Sequence, residues 1–191
     1  MTKPFPVDVS AGGCIAGCLL ILLIPLELTF SFYLAAAIHE AGHILLLRFF
    51  RVPIWGISFH IGGATIQTAP VTAKEELLCA AAGPIASFLC AAFVRRFPLL
   101  DICALIQGIF NLLPLFPMDG GRILRCLCNL YCPSCTGLLC KAAAISSTAV
   151  ILSVCMIFFL HTNELPYLFI AFYFLLQTYP KINTPCKELE Y

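Results

Sequence analysis

Apolar runs of about 15 to 23 residues follow one another through most of this sequence, and they limit what the chain can fold into. A helix rises about 1.5 Å per residue, so crossing the hydrocarbon of a bilayer takes about 20 apolar residues. Six stretches meet or approach that length: about 12–26, 28–50, 76–94, 99–117, 138–160 and 165–179. Pro25 and Glu27 separate the first two, and the last is entered at Pro166 and stopped by Pro180. Charge excludes the soluble alternative. Only 11% of residues are Asp, Glu, Lys or Arg while 61% are apolar, against about 25% charged in an ordinary soluble domain. Disorder is excluded by the same composition, and a net charge of +1 without a basic patch gives no nucleic-acid signal. The expectation is an all-α, multi-pass membrane protein. It would be a single membrane-embedded domain over residues 1–191, with its core at 28–125 and C-terminal helices at 138–180.

Residues 51–72 read differently. Trp55-Gly-Ile-Ser-Phe-His-Ile-Gly-Gly-Ala-Thr-Ile-Gln-Thr suggests two short strands around the Gly62-Gly63 turn, a hairpin-like segment between the second and third spans. Open strands cannot face lipid, so this segment belongs at the membrane edge or folded back into the protein. Six spans also divide the cationic residues unevenly. One side receives Lys3, Arg48, Arg51, Lys74, Arg122, Arg125, Lys141, Lys181 and Lys187, and the other only Arg95 and Arg96. The positive-inside rule then puts both termini in the cytoplasm. Pro25-Leu-Glu27 makes a poor signal-peptide cleavage site, so the first run is expected to remain as a span.

The second span carries His39-Glu40-Ala-Gly-His43. Residues i and i+4 share one helical face, so two imidazoles can bind one Zn²⁺ with Glu40 placed to act on water at the metal. Ionisable groups inside a span are costly and therefore point to function. Zinc needs a third protein ligand and one open position. The chain has three aspartates: Asp8, Asp101 and Asp119. Asp119 follows Asn111-Leu-Leu-Pro114-Leu-Phe-Pro117-Met and precedes Gly120-Gly121, where prolines and glycines interrupt the fourth span. The charge count puts Asp119 near the same membrane face as His39 and His43, and Asp101 at the opposite end.

HExxH in an early span, a Gly-Gly strand pair, Ala-Ala-Gly83-Pro84, and then Asn-x-x-Pro-x-x-Pro-x-Asp-Gly-Gly, in that order, resemble the site-2 protease family of intramembrane zinc metalloproteases. The six-span layout is similar to the branch that includes the sporulation protease acting on a membrane-bound sigma-factor precursor. The resemblance covers about residues 28–125. It implies peptide-bond hydrolysis near the cytoplasmic face, one zinc per chain on His39, His43 and Asp119, Glu40 as the base, and Asn111 on the substrate or the oxyanion. A membrane-protein substrate, the lipid bilayer and a regulatory membrane partner are the partners it implies, in a bacterial cytoplasmic or forespore-type membrane. Ser87 stands where the family often has Asn. The nucleotide-sensing domain common after the last span is not expected, since only residues 181–191 follow, and neither is a PDZ domain.

Two other readings compete: a non-catalytic zinc-bearing membrane module, and a metal transporter that uses His39, Glu40, His43 and Asp119 as a transit site. The presence of Glu40 weighs against the first, and the lack of internal repeats against the second. The remaining features read plainly. Most of the 12 cysteines lie within spans as small apolar residues. Cys126, Cys128, Cys132 and Cys135 gather in what reads as a cytoplasmic loop, half of a zinc ribbon at most. His60 reads as a turn residue at the interface, and His161 as a solvated loop residue.

Overall fold

The computed structural model describes residues 6–60, 63–93 and 96–183. Lys3, Gly62, Arg95 and Lys187, on which the turn and charge readings partly rested, lie outside them. The backbone forms two compact units, Met1–Asn111 and Leu112–Tyr191.

The first unit runs β1 (Val7–Val9), α1 (Ala11–Leu23), α2 (Leu26–Phe49), β2 (Ile54–His60), β3 (Gly63–Thr68), α3 (Ala73–Phe93) and α4 (Pro98–Asn111). Local chemistry sets its boundaries. Ser10 starts α1, its Oγ accepting from the Gly13 N–H at 3.1 Å. Pro25 ends the continuity of α1 and caps α2, whose Thr29 N–H reaches the Pro25 carbonyl at 3.0 Å. Thr72 and Glu75 form a capping box before α3. The Thr72 N–H donates to Glu75 Oε2 at 2.8 Å, and the Glu75 N–H donates to Thr72 Oγ1 at 3.3 Å.

The expected hairpin is present, but it carries a third strand. β1 pairs in parallel with β2, Val7 opposite Ile57, and β2 pairs antiparallel with β3, giving the order β1-β2-β3. Three residues are too short for a period-2 signal, and their strand conformation comes from pairing with a partner about 50 residues away in sequence.

α2, α3 and α4 pack around Ala35, Cys90, Leu100, Cys103 and Ala104. Small residues let the helices close in. A Cβ at Gly42 of α2 would lie 2.6 Å from the Ala82 carbonyl oxygen and 2.8 Å from the Ala86 Cβ of α3. With no hydrophobic drive between helices in lipid, such close backbone approach supplies the packing.

The second unit contains α5 (Asp119–Tyr131), a 3₁₀ turn at Pro133–Cys135, α6 (Thr136–Thr162) and α7 (Pro166–Asn183). Leu115, Met118 and Phe174 form its core, with Ala144, Ile151 and Tyr173 against them. Asn163 ends α6 in the left-handed region (φ 57°), its N–H returning to the Phe159 carbonyl at 2.7 Å.

Among the described residues, three segments are long and apolar enough to cross a membrane: Leu26–Phe49, Ala73–Phe93 and Pro133–Thr162. Pro98–Asn111 and Pro166–Leu176 are shorter apolar helices. The fourth run therefore ends at Asn111 rather than near residue 117, a rod of about 21 Å. Pro114 and Pro117 leave the following backbone without two N–H donors, and it folds as a loop. The region after Asp119, read as a loop, is the helix α5, with Cys126 and Cys128 buried on it and Cys132 and Cys135 exposed beyond it. α7 continues past Pro180 to Asn183, because one missing N–H near a helix end does not force the chain to turn. His161 sits in the last turn of α6, exposed as expected but helical.

Candidate metal centre

The HExxH segment lies in the middle of α2, where the 3.6-residue repeat turns His39 and His43 toward α3. Both are buried, 2% and 6% exposed, in a helix whose neighbouring side chains are mostly open to the surroundings. Their Nε2 atoms lie 3.3 Å apart, with the rings nearly perpendicular at 78°.

Three residues of α3 at i, i+4 and i+8 hold this pair. The backbone carbonyl of Cys79 accepts from His43 Nδ1 at 2.7 Å. The hydroxyl of Ser87 meets His39 Nδ1 at 2.9 Å. Between them, Gly83 leaves room for the rings. A Cβ there would fall on His43 Nε2 and lie 2.7 Å from His39 Nε2. Gly83-Pro84, whose simplest sequence reading is close packing and a kink, is thus the floor beneath the two imidazoles. Pro84 offers no N–H to the Ala80 carbonyl, which loosens the helix ladder beside the Cys79 carbonyl that His43 uses.

A carbonyl only accepts, so His43 carries its proton on Nδ1 and presents a lone pair at Nε2. The pair suits a tetrahedral metal. Two zinc–nitrogen bonds of about 2.05 Å at a tetrahedral angle place the nitrogens about 3.3 Å apart, which matches the separation of the Nε2 atoms. Glu40, next along α2, is partly buried.

Asp119 is 6% exposed and occupies the first turn of α5, where partial positive charge favours a carboxylate. Arg122 Nη1 stands 3.7 Å from its Oδ1. The Asp-Gly-Gly sequence has a steric cause. A Cβ at Gly120 would collide with the carbonyls of Leu112 and Leu113, and one at Gly121 would lie 2.6 Å from the Leu115 carbonyl oxygen. Two glycines let the loop after α4 fold tightly onto the start of α5, which fixes the Asp119 backbone.

Of the other sequence candidates, Asp8 is exposed on β1. Asp101 opens α4, with its Oδ1 buried and unpartnered among the described residues. Asn111 closes α4, one amide N–H donating to the Gln107 carbonyl of its own helix at 3.1 Å. An amide has two such N–H groups, so one donor remains. His60 ends β2 and is exposed. Sequence reasoning missed Cys79 and Ser87 as partners of the histidines. The i, i+4, i+8 spacing of Cys79, Gly83 and Ser87 was the available signal, but any apolar helix offers many such triplets.

Comparison with known proteins supports this picture of the fold. The structure of the site-2 protease from Methanocaldococcus jannaschii superposes with a TM-score of 0.63 at 21% identity, over 100% of this chain and 96% of that one. A zinc metalloprotease of the same organism is 31% identical over 109 residues, half of this chain and 32% of that protein. The chain thus spans about a third of the length of the curated relative it matches. No protein-family model matches. The fold of this chain is similar to that of the Methanocaldococcus jannaschii site-2 protease.

Proposed function

We propose that this chain is an intramembrane zinc metalloendopeptidase of the site-2 type, cleaving a membrane-associated or single-span protein near the cytoplasmic face. The observation that carries the reading is the His39–His43 pair: buried, 3.3 Å between Nε2 atoms, and each ring fixed from behind by α3. His39, His43 and Asp119 are each buried among the described residues. We assign them as the ligands of one zinc per chain, a set of two imidazoles and a carboxylate.

When bound, zinc supplies a Lewis acid that polarises a peptide carbonyl and acidifies water. The chain's own residues supply the rest. Glu40 takes a proton from the attacking water and passes it to the leaving amine. Asn111 presents its remaining amide N–H to the carbonyl oxygen as negative charge develops there, or to the substrate backbone. His39, His43 and Asp119 are buried, which strengthens the electrostatic interactions they make. A substrate helix must unwind locally before its carbonyls become available, since within a helix they are already bonded.

The multi-pass arrangement we propose has six spans with both termini cytoplasmic, the layout of the sporulation-type branch. The nine-to-two partition of Lys and Arg supports it. The protein would meet its substrate, and any regulatory membrane partner, within the bilayer.

The test is co-expression of wild type or Glu40→Gln with a panel of single-span candidate substrates. Zinc-loaded wild type should release a shortened fragment, and Glu40→Gln should lose at least about 100-fold in rate, as removal of a general base does. The reading fails if wild type cleaves nothing across a broad panel or if Glu40→Gln cleaves equally well.

A further inference from the structure

Ser87 is fully buried, at 0% exposure, and its hydroxyl lies 2.9 Å from His39 Nδ1. His43 Nδ1 faces the Cys79 carbonyl, which takes its N–H, and His39 Nδ1 faces the Ser87 hydroxyl, which can donate or accept. The two Nε2 atoms face each other at 3.3 Å, each ring held through its other nitrogen.

A cation held on both Nε2 atoms leaves Nδ1 of a neutral His39 as the nitrogen that carries the proton. Its N–H then meets the Ser87 oxygen, which is buried and at hydrogen-bond distance. We infer that Ser87 is the positioning residue of His39, its oxygen accepting from Nδ1 when zinc is held. The inference rests on the zinc reading above, though not on cleavage. The partner of a metal-bound imidazole fixes its tautomer and orientation, and loss of such a partner costs about 10- to 100-fold in metal affinity.

The chain has four histidines, and His60 and His161 are exposed and can be replaced by Gln to simplify the spectra. The experiment is long-range ¹H–¹⁵N spectroscopy of the full chain in detergent, ¹⁵N-labelled at histidine and loaded with Zn²⁺. Zinc affinity is measured in parallel by chelator competition for wild type, Ser87→Ala and Ser87→Thr. With zinc bound, His39 and His43 should both be protonated at Nδ1. Ser87→Ala should bind zinc about 10- to 100-fold more weakly, and Ser87→Thr, which keeps the hydroxyl, should recover most of that loss. A Cβ at Gly108 of α4 would lie 3.2 Å from the Ser87 Cβ, so Thr is crowded there. If neither variant folds, the wild-type spectra alone decide. Zinc uptake with His39 protonated at Nε2, or with unchanged affinity in folded Ser87→Ala, overturns the role of Ser87 and leaves the zinc site standing. Failure of the wild type to take up zinc overturns both. Zinc uptake that Ser87→Ala weakens, without any cleavage, supports Ser87 and refutes only the protease.

Discussion

α3 and α6 are both long and apolar enough to cross a membrane, yet α3 buries six of its described residues and α6 two. Both turn bulky side chains outward: Ile85 and Phe93 of α3 are 54% and 81% exposed, and Ile157 of α6 is 65% exposed. The buried set of α3 is Cys79, Ala80, Gly83, Pro84, Ser87 and Cys90, all small, and along that face α3 comes close enough to α2 for a carbonyl and a hydroxyl to reach two imidazoles. α6 carries small residues as well, from Ala142 to Ala149, yet of its described residues only Thr148 and Cys155 are buried. Neither hydropathy nor a run of small residues separates a helix that builds a site from one that does not; a neighbour packed along the small face does.

The sharpest way to break that comparison is to give α3 one larger side chain where it meets the histidines. Gly83→Val puts its Cβ onto His43 Nε2, and neither ring can retreat without losing its Nδ1 partner. Zinc affinity, followed by chelator competition, should fall more than about 100-fold, beyond the range for loss of an outer hydrogen bond. Helical content by circular dichroism should stay near wild type. Retained affinity would mean that α3 does not form the floor of the site.

Metal removal comes next. A ligand present at 100 times its dissociation constant stabilises the native state by about 2.7 kcal/mol. Chelation should therefore lower the melting temperature of wild type in detergent and leave His43→Ala unmoved. An equal shift in both would place the bound metal elsewhere.

Gly42→Val tests the approach of α2 to α3 away from the rings. Its Cβ would meet the Ala82 carbonyl oxygen at 2.6 Å, a backbone atom that cannot swing aside. Overpacking of this kind costs about 1–3 kcal/mol, to be read as a fall in thermal stability together with reduced cleavage. The smallest effect belongs to α6. Ile157 is 65% exposed, and Ile157→Ala should change stability by no more than about 0.5 kcal/mol and leave zinc affinity as it was. A large loss there would give α6 a packing role that its exposure argues against.

Much of this was legible in the chain because it is local. HExxH places two imidazoles on one face through helix geometry alone, and Pro25 breaks α1 from α2 by removing an N–H. The less legible parts depend on distant partners. β1 is a strand because β2, about 50 residues on, runs beside it.

The candidate site divides the same way. The sequence by itself determined which residue types stand one helical turn apart, and that Asp119 opens with two glycines a segment two prolines had already interrupted. Only the tertiary structure decided what stands behind the rings. The tautomer of His43 is set by a carbonyl 36 residues away, and His39 meets a hydroxyl 48 residues away. Which backbone carbonyl faces a ring depends on how two helices cross, and that crossing is set by contacts between residues far apart in the chain.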